Sequence, residues 1–213
     1  MDDCCSNKGS EIEQLARRAE QRRVLRVVLA INAVMFCIEF TAGVMASSTA
    51  LMADSIDMFG DASVYALSLY ALDRGPQWRI GAALVKGALI LVFGLWVLIE
   101  VGLNILYAVT PMASTMVGIG TLAFAANLTC LALLWRFRRQ DINMSSTFEC
   151  SRNDVIANVG VLVAAAGVWM AGSGWPDIVV GLLIAALFLR SAVRVVREAW
   201  PQFRPGGLHP RGS

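Results

Sequence analysis

Six long apolar stretches alternate with short polar connections along this chain. They run approximately Val24 to Ala46, Thr49 to Leu72, Ile80 to Leu106, Met112 to Trp135, Ser146 to Ala171 and Ile178 to Val196. Each is near the roughly 20 residues that an α-helix needs to cross the hydrocarbon core of a bilayer. The pattern predicts an all-α membrane protein of six transmembrane helices, residues 24–200, with a preceding segment 1–23 and a short tail 201–213. Glu11 to Arg23 reads as a charged helix leading into the first span, with Ser10 as its cap. The first 20 or so residues lack the basic start, apolar centre and small-residue cleavage site of a signal peptide. The tail is rich in Pro and Gly, its end from Leu208 to Ser213 reads partly as a cloning remnant, and no second domain is expected.

Composition agrees with the pattern. Hydrophobic residues make up 57% of the 213 and charged residues 16%, against roughly 25% charged in soluble domains. Mean hydropathy is +0.61. A water-soluble fold is therefore not expected. The basic residues give orientation: Arg17, Arg18, Arg22, Arg23 and Arg26 precede the first span, and Arg74 and Arg79 separate the second from the third. Arg136, Arg138 and Arg139 separate the fourth from the fifth, and Arg190, Arg194, Arg197 and Arg204 end the sixth. The other three connections contain no Lys or Arg. By the positive-inside rule both termini are cytoplasmic, and the expected location is the cytoplasmic (inner) membrane of a prokaryote. Trp78, Trp135, Trp175 and Trp200 fall near span ends, as interfacial anchors do. The net charge of +2 thus reflects topology, and no nucleic-acid partner is implied. Five cysteines, an odd number, give no disulfide framework.

Polar residues inside the apolar stretches carry the candidate chemistry. Asp57 and Asp61 are four apart on the second span and so share a helix face. They fall near the bilayer midplane, while every basic residue falls near the cytoplasmic side. Carboxylates at such depth are costly and mark ion paths, proton relays or ligand sites. Asp54, one turn away, is a candidate third ligand or outward exit group, and equally a cap or hydrogen-bonding group for a neighbouring helix.

Cys150 and Asp154 repeat the four-residue spacing on the fifth span. A thiolate with a carboxylate suits a borderline-soft tetrahedral ion such as zinc. Glu149 points about 100° away and reads as solvent-facing, though it is an accessory candidate. The continuous apolar run begins only at Val155, which places Cys150 and Asp154 near the cytoplasmic interface unless the helix starts earlier, near Asn143. Glu39 and Glu100 are candidate proton relays, or hydrogen-bonded structural groups partnered by Asn32 or Asn104. Cys4 and Cys5 are candidate captors of a soft metal; Cys37 and Cys130 read as core residues. Ala62 and Ala66, with Ala157, Gly160 and Ala164, are small residues expected to let the second and fifth spans approach. The one histidine, His209, is in the tail.

The stretch from Glu39 to Gly43, followed by Ser48 to Asp61, resembles the first two helices of the cation diffusion facilitator family, where His or Asp followed four residues later by Asp supplies half of a transport site. Cys150 to Gly160 is similar to that family's fifth-helix motif, with Cys150 standing where His or Asp is usual. The resemblance covers all six spans. It implies efflux of a divalent cation, zinc or cadmium-like, by exchange with protons in an alternating-access homodimer, with Asp57, Asp61, Cys150 and Asp154 as metal ligands. It implies no enzymatic step and no cofactor beyond the transported metal. The family's histidine-rich loop between spans four and five is missing here, and its usual soluble domain after the sixth helix is not expected. Two other classes compete: a membrane metal-binding partner or sensor that does not transport, and, remotely, an intramembrane aspartyl protease suggested by Gly60-Asp61. A protease needs two catalytic aspartates and gives no account of two i,i+4 pairs that include a cysteine.

Overall fold

A computed structural model describes residues 2–70, 76–138 and 142–203. Among these residues, six helices form where six spans are expected: α1 Asp2–Ala46, α2 Thr49–Tyr70, α3 Pro76–Leu106, α4 Ala113–Trp135, α5 Ile142–Ala171 and α6 Trp175–Phe203. Among the described residues there is no strand. Among the described residues, four helical stretches are long and apolar enough to cross a membrane: Ala19–Ala46, Ala88–Leu106, Ala113–Trp135 and Ser151–Ala171. The apolar run of α2 is broken by Asp54, Asp57 and Asp61, though the helix itself is continuous, and α6 contributes a shorter apolar piece, Trp175–Leu187.

Several helices start earlier than hydropathy suggests, because polar first turns belong to the helix without belonging to the apolar run. α3 begins at Pro76, whose fixed φ and missing N–H suit a first helical position. α5 begins at Ile142, so Cys150 and Asp154 sit two to three turns inside it instead of at its mouth. α1 runs through Ser10 without a break, so Ser10 is not its cap.

α1 packs chiefly on α2, α3 on α6, and α4 on α5; further contacts join α1 to α4 and α2 to α5. The result is a ring α1–α2–α5–α4, with the α3/α6 pair laid against α2 and α5. Leu51, Ile56, Ile90, Val97, Val161 and Val168 belong to the largest apolar core, shared by α2, α3, α5 and α6. Of the small residues expected between α2 and α5, Ala62 and Ala164 are buried, but Ala66 is exposed and a side chain at Gly160 would meet Val180 of α6.

One end of the bundle is tied together by hydrogen bonds. α1 and α3 both finish with a residue in the left-handed region, Ser47 (φ 54°) and Ala108 (φ 48°). There the N–H groups of Ser48 and Val109 reach back to the carbonyls of Gly43 and Asn104, as in a Schellman cap. Asn104 Nδ2 donates to the Ser47 carbonyl at 3.1 Å, and the Met112 N–H, ahead of α4, donates to the Ala46 carbonyl at 3.1 Å.

The clasp closes on Asp177, in the first turn of α6 and fully buried. One carboxylate oxygen accepts from Ser48 Oγ (2.6 Å) and the Ala50 N–H (3.1 Å), the other from the Thr49 N–H (2.7 Å) and Thr49 Oγ1 (2.8 Å). Ser48 Oγ in turn accepts from the Leu51 N–H at 3.2 Å. The otherwise orphaned donors of the α2 N-terminus are thereby paired, and a negative charge meets the positive end of its dipole. This approach needs glycine at 181, where a Cβ would lie 2.6 Å from Thr49 Oγ1 and 2.8 Å from its carbonyl carbon.

Candidate metal site

The cap fixes the start of α2, and with it the height of its acids. Asp54, Asp57 and Asp61 follow Thr49 by one, two and three turns, placing Asp61 roughly 18 Å along the helix axis. Asp54 and Asp61 are buried and Asp57 is half-buried. Asp61 Oδ2 accepts a hydrogen bond from the Tyr65 hydroxyl at 2.7 Å, one turn further on. On the neighbouring α5, Asp154 is buried and its backbone carbonyl accepts from Asn158 Nδ2 at 2.8 Å. The two sequence signatures therefore lie on helices in contact. Cys150 and Glu149 are in α5, but their side chains lie outside the described residues, as do those of Cys4 and Cys5 in α1. Among the described residues, no three His, Cys, Asp or Glu side chains converge closely enough to hold a metal ion.

All four helices of the ring bury polar side chains. α1 buries Asn32 and Glu39, α2 Asp54 and Asp61, α4 Asn127 and Cys130, and α5 Ser151, Asp154 and Asn158. Asn32 Nδ2 donates to the Val28 carbonyl (2.9 Å) and lies 3.8 Å from Cys130 Sγ, and that thiol also feels the Asp61 carboxylate. Cys130 is a core residue as expected and lies near the acids of α2, whereas Cys37 is exposed on α1 and is not a core residue. Asn32 Oδ1, Asn127 Nδ2, Ser151 Oγ and Asn158 Oδ1 are buried without a hydrogen-bond partner among the described residues. Buried polar atoms left so are rare in folded proteins and ask for a water, an ion or a proton.

Neither expected structural partner reaches Glu39: Asn32 is engaged with Val28 and Cys130, and Asn104 with Ser47. Glu39 is fully buried and faces Asp54 across the α1–α2 contact. Glu100 is separate from this group; half-buried on α3, it accepts a hydrogen bond from Trp96 Nε1 at 3.1 Å. Asn153 is exposed and does not line the interior. Sequence reading missed Asn127, Asn158, Tyr65 and Asp177. Tyr65 carried a usable signal, being four residues after Asp61, whereas Asp177 meets its partners only through tertiary packing.

The cation efflux transmembrane domain matches residues 25–202. The chain is 24% identical over 198 residues to the metal cation efflux system protein CzcD of Cupriavidus metallidurans, covering 84% of this chain and 63% of that protein. It is 24% identical over 197 residues to the zinc transporter ZitB of Yersinia pestis (85% and 62% covered). A cadmium, cobalt and zinc/H(+)-K(+) antiporter of Bacillus subtilis is 22% identical over 195 residues (84% and 62%). The chain thus spans a little under two thirds of the length of these relatives. The apolar helices, the acids on adjoining α2 and α5 and the match over nearly the whole bundle lead to one conclusion: this multi-pass integral membrane protein belongs to the cation efflux family.

Proposed function

We propose that this chain carries divalent metal cations, zinc or cadmium-like, out of the cell in exchange for protons. What supports the reading is the contact between α2 and α5: α2 carries Asp57 and Asp61 in its sequence, and α5 carries Asp154 and, four residues earlier, Cys150. We assign the transported ion to these four residues and leave Asp54 to Glu39. Similarity to proteins named as zinc and as cadmium, cobalt and zinc transporters supports the cargo. A thiol among the carboxylates favours a thiophilic ion. The function needs no chemical step on the cargo and no enzymatic residue.

All six helices cross the membrane in this reading. The clasp end faces outward, and the arginine-bearing end, with both termini, faces the cytoplasm of a bacterial inner membrane. Metal binds only deprotonated carboxylate and thiolate, so loading expels protons, and protons arriving from outside displace the metal after the helices rearrange. A homodimer is proposed from the family resemblance; light scattering in lipid nanodiscs should show two copies, and monomer under all lipid conditions would reject it. The transport reading is tested in vesicles holding a trapped pH dye. Zinc added to one side should move protons to that side, and zinc binding without proton movement would leave a metal-binding partner instead of an antiporter.

A further inference from the structure

Seven residues before the end of α1 and five after the start of α2, Glu39 and Asp54 come level across the helix hairpin. Both are essentially inaccessible, at 0% and 1% exposure. Among the described residues neither Glu39 oxygen, nor Asp54 Oδ2, has a hydrogen-bond donor, yet the two carboxyl groups face each other. An ionised carboxylate can only accept, so two of them side by side in a dry interior repel and leave each other unsatisfied. One proton between them removes a charge and turns one acid into a donor for the other, as in other carboxyl pairs.

The surroundings supply no alternative compensation among the described residues. From α2, Asp57 adds a further negative field. On α4 the nearest titratable group is Cys130, turned to Asn32 and Asp61. α5 brings Asp154, α6 brings Asp177, which is committed to the α2 cap, and α3 brings Glu100, which is bonded to Trp96. No lysine or arginine among the described residues bonds to a Glu39 oxygen. The pair sits about one helical turn from Asp57, between it and the clasp.

We propose that Glu39 and Asp54 form a proton-binding pair, distinct from the metal ligands, that holds one proton while the metal site is empty and releases it when a divalent cation binds at Asp57, Asp61 and Asp154. The step balances without a co-reactant: the O–H bond of the shared carboxylic acid breaks, its proton leaves to solvent, and the incoming double positive charge stabilises the second carboxylate formed. This deepens the antiport reading and rests on it, adding a proton carried by residues that do not touch the cargo.

The test counts protons released per zinc bound to the full chain in nanodiscs, by calorimetry in buffers of different ionisation heat. Glu39→Gln and Asp54→Asn should each bind zinc within about threefold of the unaltered chain, since neither touches the ion, and release one proton fewer. Unchanged proton release in a folded variant, or loss of zinc binding in both, overturns the proposal; the second result would make the pair a ligand set. Infrared difference spectra of the unaltered chain cover the case in which neither variant folds. Zinc should remove the carbonyl band of a protonated carboxylic acid, and a spectrum without that loss overturns the pair. The transport reading fails separately, through absence of zinc binding or zinc-driven proton flux in the unaltered chain.

Discussion

Asp177 and Glu39 are both fully buried in this bundle, and their surroundings treat them in opposite ways. Asp177 receives four hydrogen bonds, two at each oxygen; Glu39 receives none from the described residues. A buried carboxylate whose acceptor sites are filled is held at low cost and fixes the elements that fill them. One left with unfilled sites is tolerated only where something mobile completes it. The clasp end gives α2 a fixed frame, and the interior holds the acids that we propose exchange charge.

The contrast breaks most visibly if interior acids prove structural. Asp57→Ala, Asp61→Ala and Asp154→Ala should each abolish zinc-driven proton movement in vesicles while leaving the protein inserted and monodisperse. Retained transport in any two of them would remove the proposed site. At the clasp the expectation reverses. Asp177→Ala strips partners from the α2 N-terminus and should lower stability by on the order of 3 kcal/mol, from the cap and the donors left unpaired. Thermal denaturation in detergent should show this as an early midpoint, whereas Glu39→Gln should melt close to the unaltered chain.

Much of this division was legible in the sequence, and the illegible part has a physical reason. Hydropathy located all six helices, and the four-residue spacings marked Asp57, Asp61 and Asp154, because burial depth and helical period are local properties. The facing of Glu39 and Asp54 depends on hairpin register, and the Asp177 cap joins residues 128 positions apart, so no local pattern encodes either. The pairing of Glu39 with Asn32 or Asn104, plausible from composition, fails because each asparagine is drawn to a backbone carbonyl. The polar first turns of α5 left two starts open in the sequence, and the helix takes the earlier one, beginning at Ile142 beside Asn143.

Smaller effects sharpen the same comparison. Gly181→Ala forces a methyl against Thr49 and should cost about 1–3 kcal/mol, the range for overpacking, visible as reduced thermal stability with the interior acids intact. At Cys150, histidine should retain zinc while weakening cadmium relative to zinc, and serine should weaken both, because a neutral hydroxyl replaces a thiolate poorly. Metal competition in vesicles reads the order, and unchanged affinity for both metals in Cys150→Ser would make the cysteine a packing residue. Ser47→Gly should be the mildest change, a gain of about 0.5 kcal/mol from relieving left-handed backbone strain, measurable by denaturation.

The central claim is that metal and proton movements are linked through the acids of α2 and α5. Its most direct test follows radioactive zinc into vesicles while the transmembrane pH gradient is set in either direction. Zinc should accumulate when the gradient drives protons out, leave when the gradient is inverted, and respond to neither gradient in Asp61→Ala. Zinc movement indifferent to the gradient, or a gradient response preserved in Asp61→Ala, would contradict it.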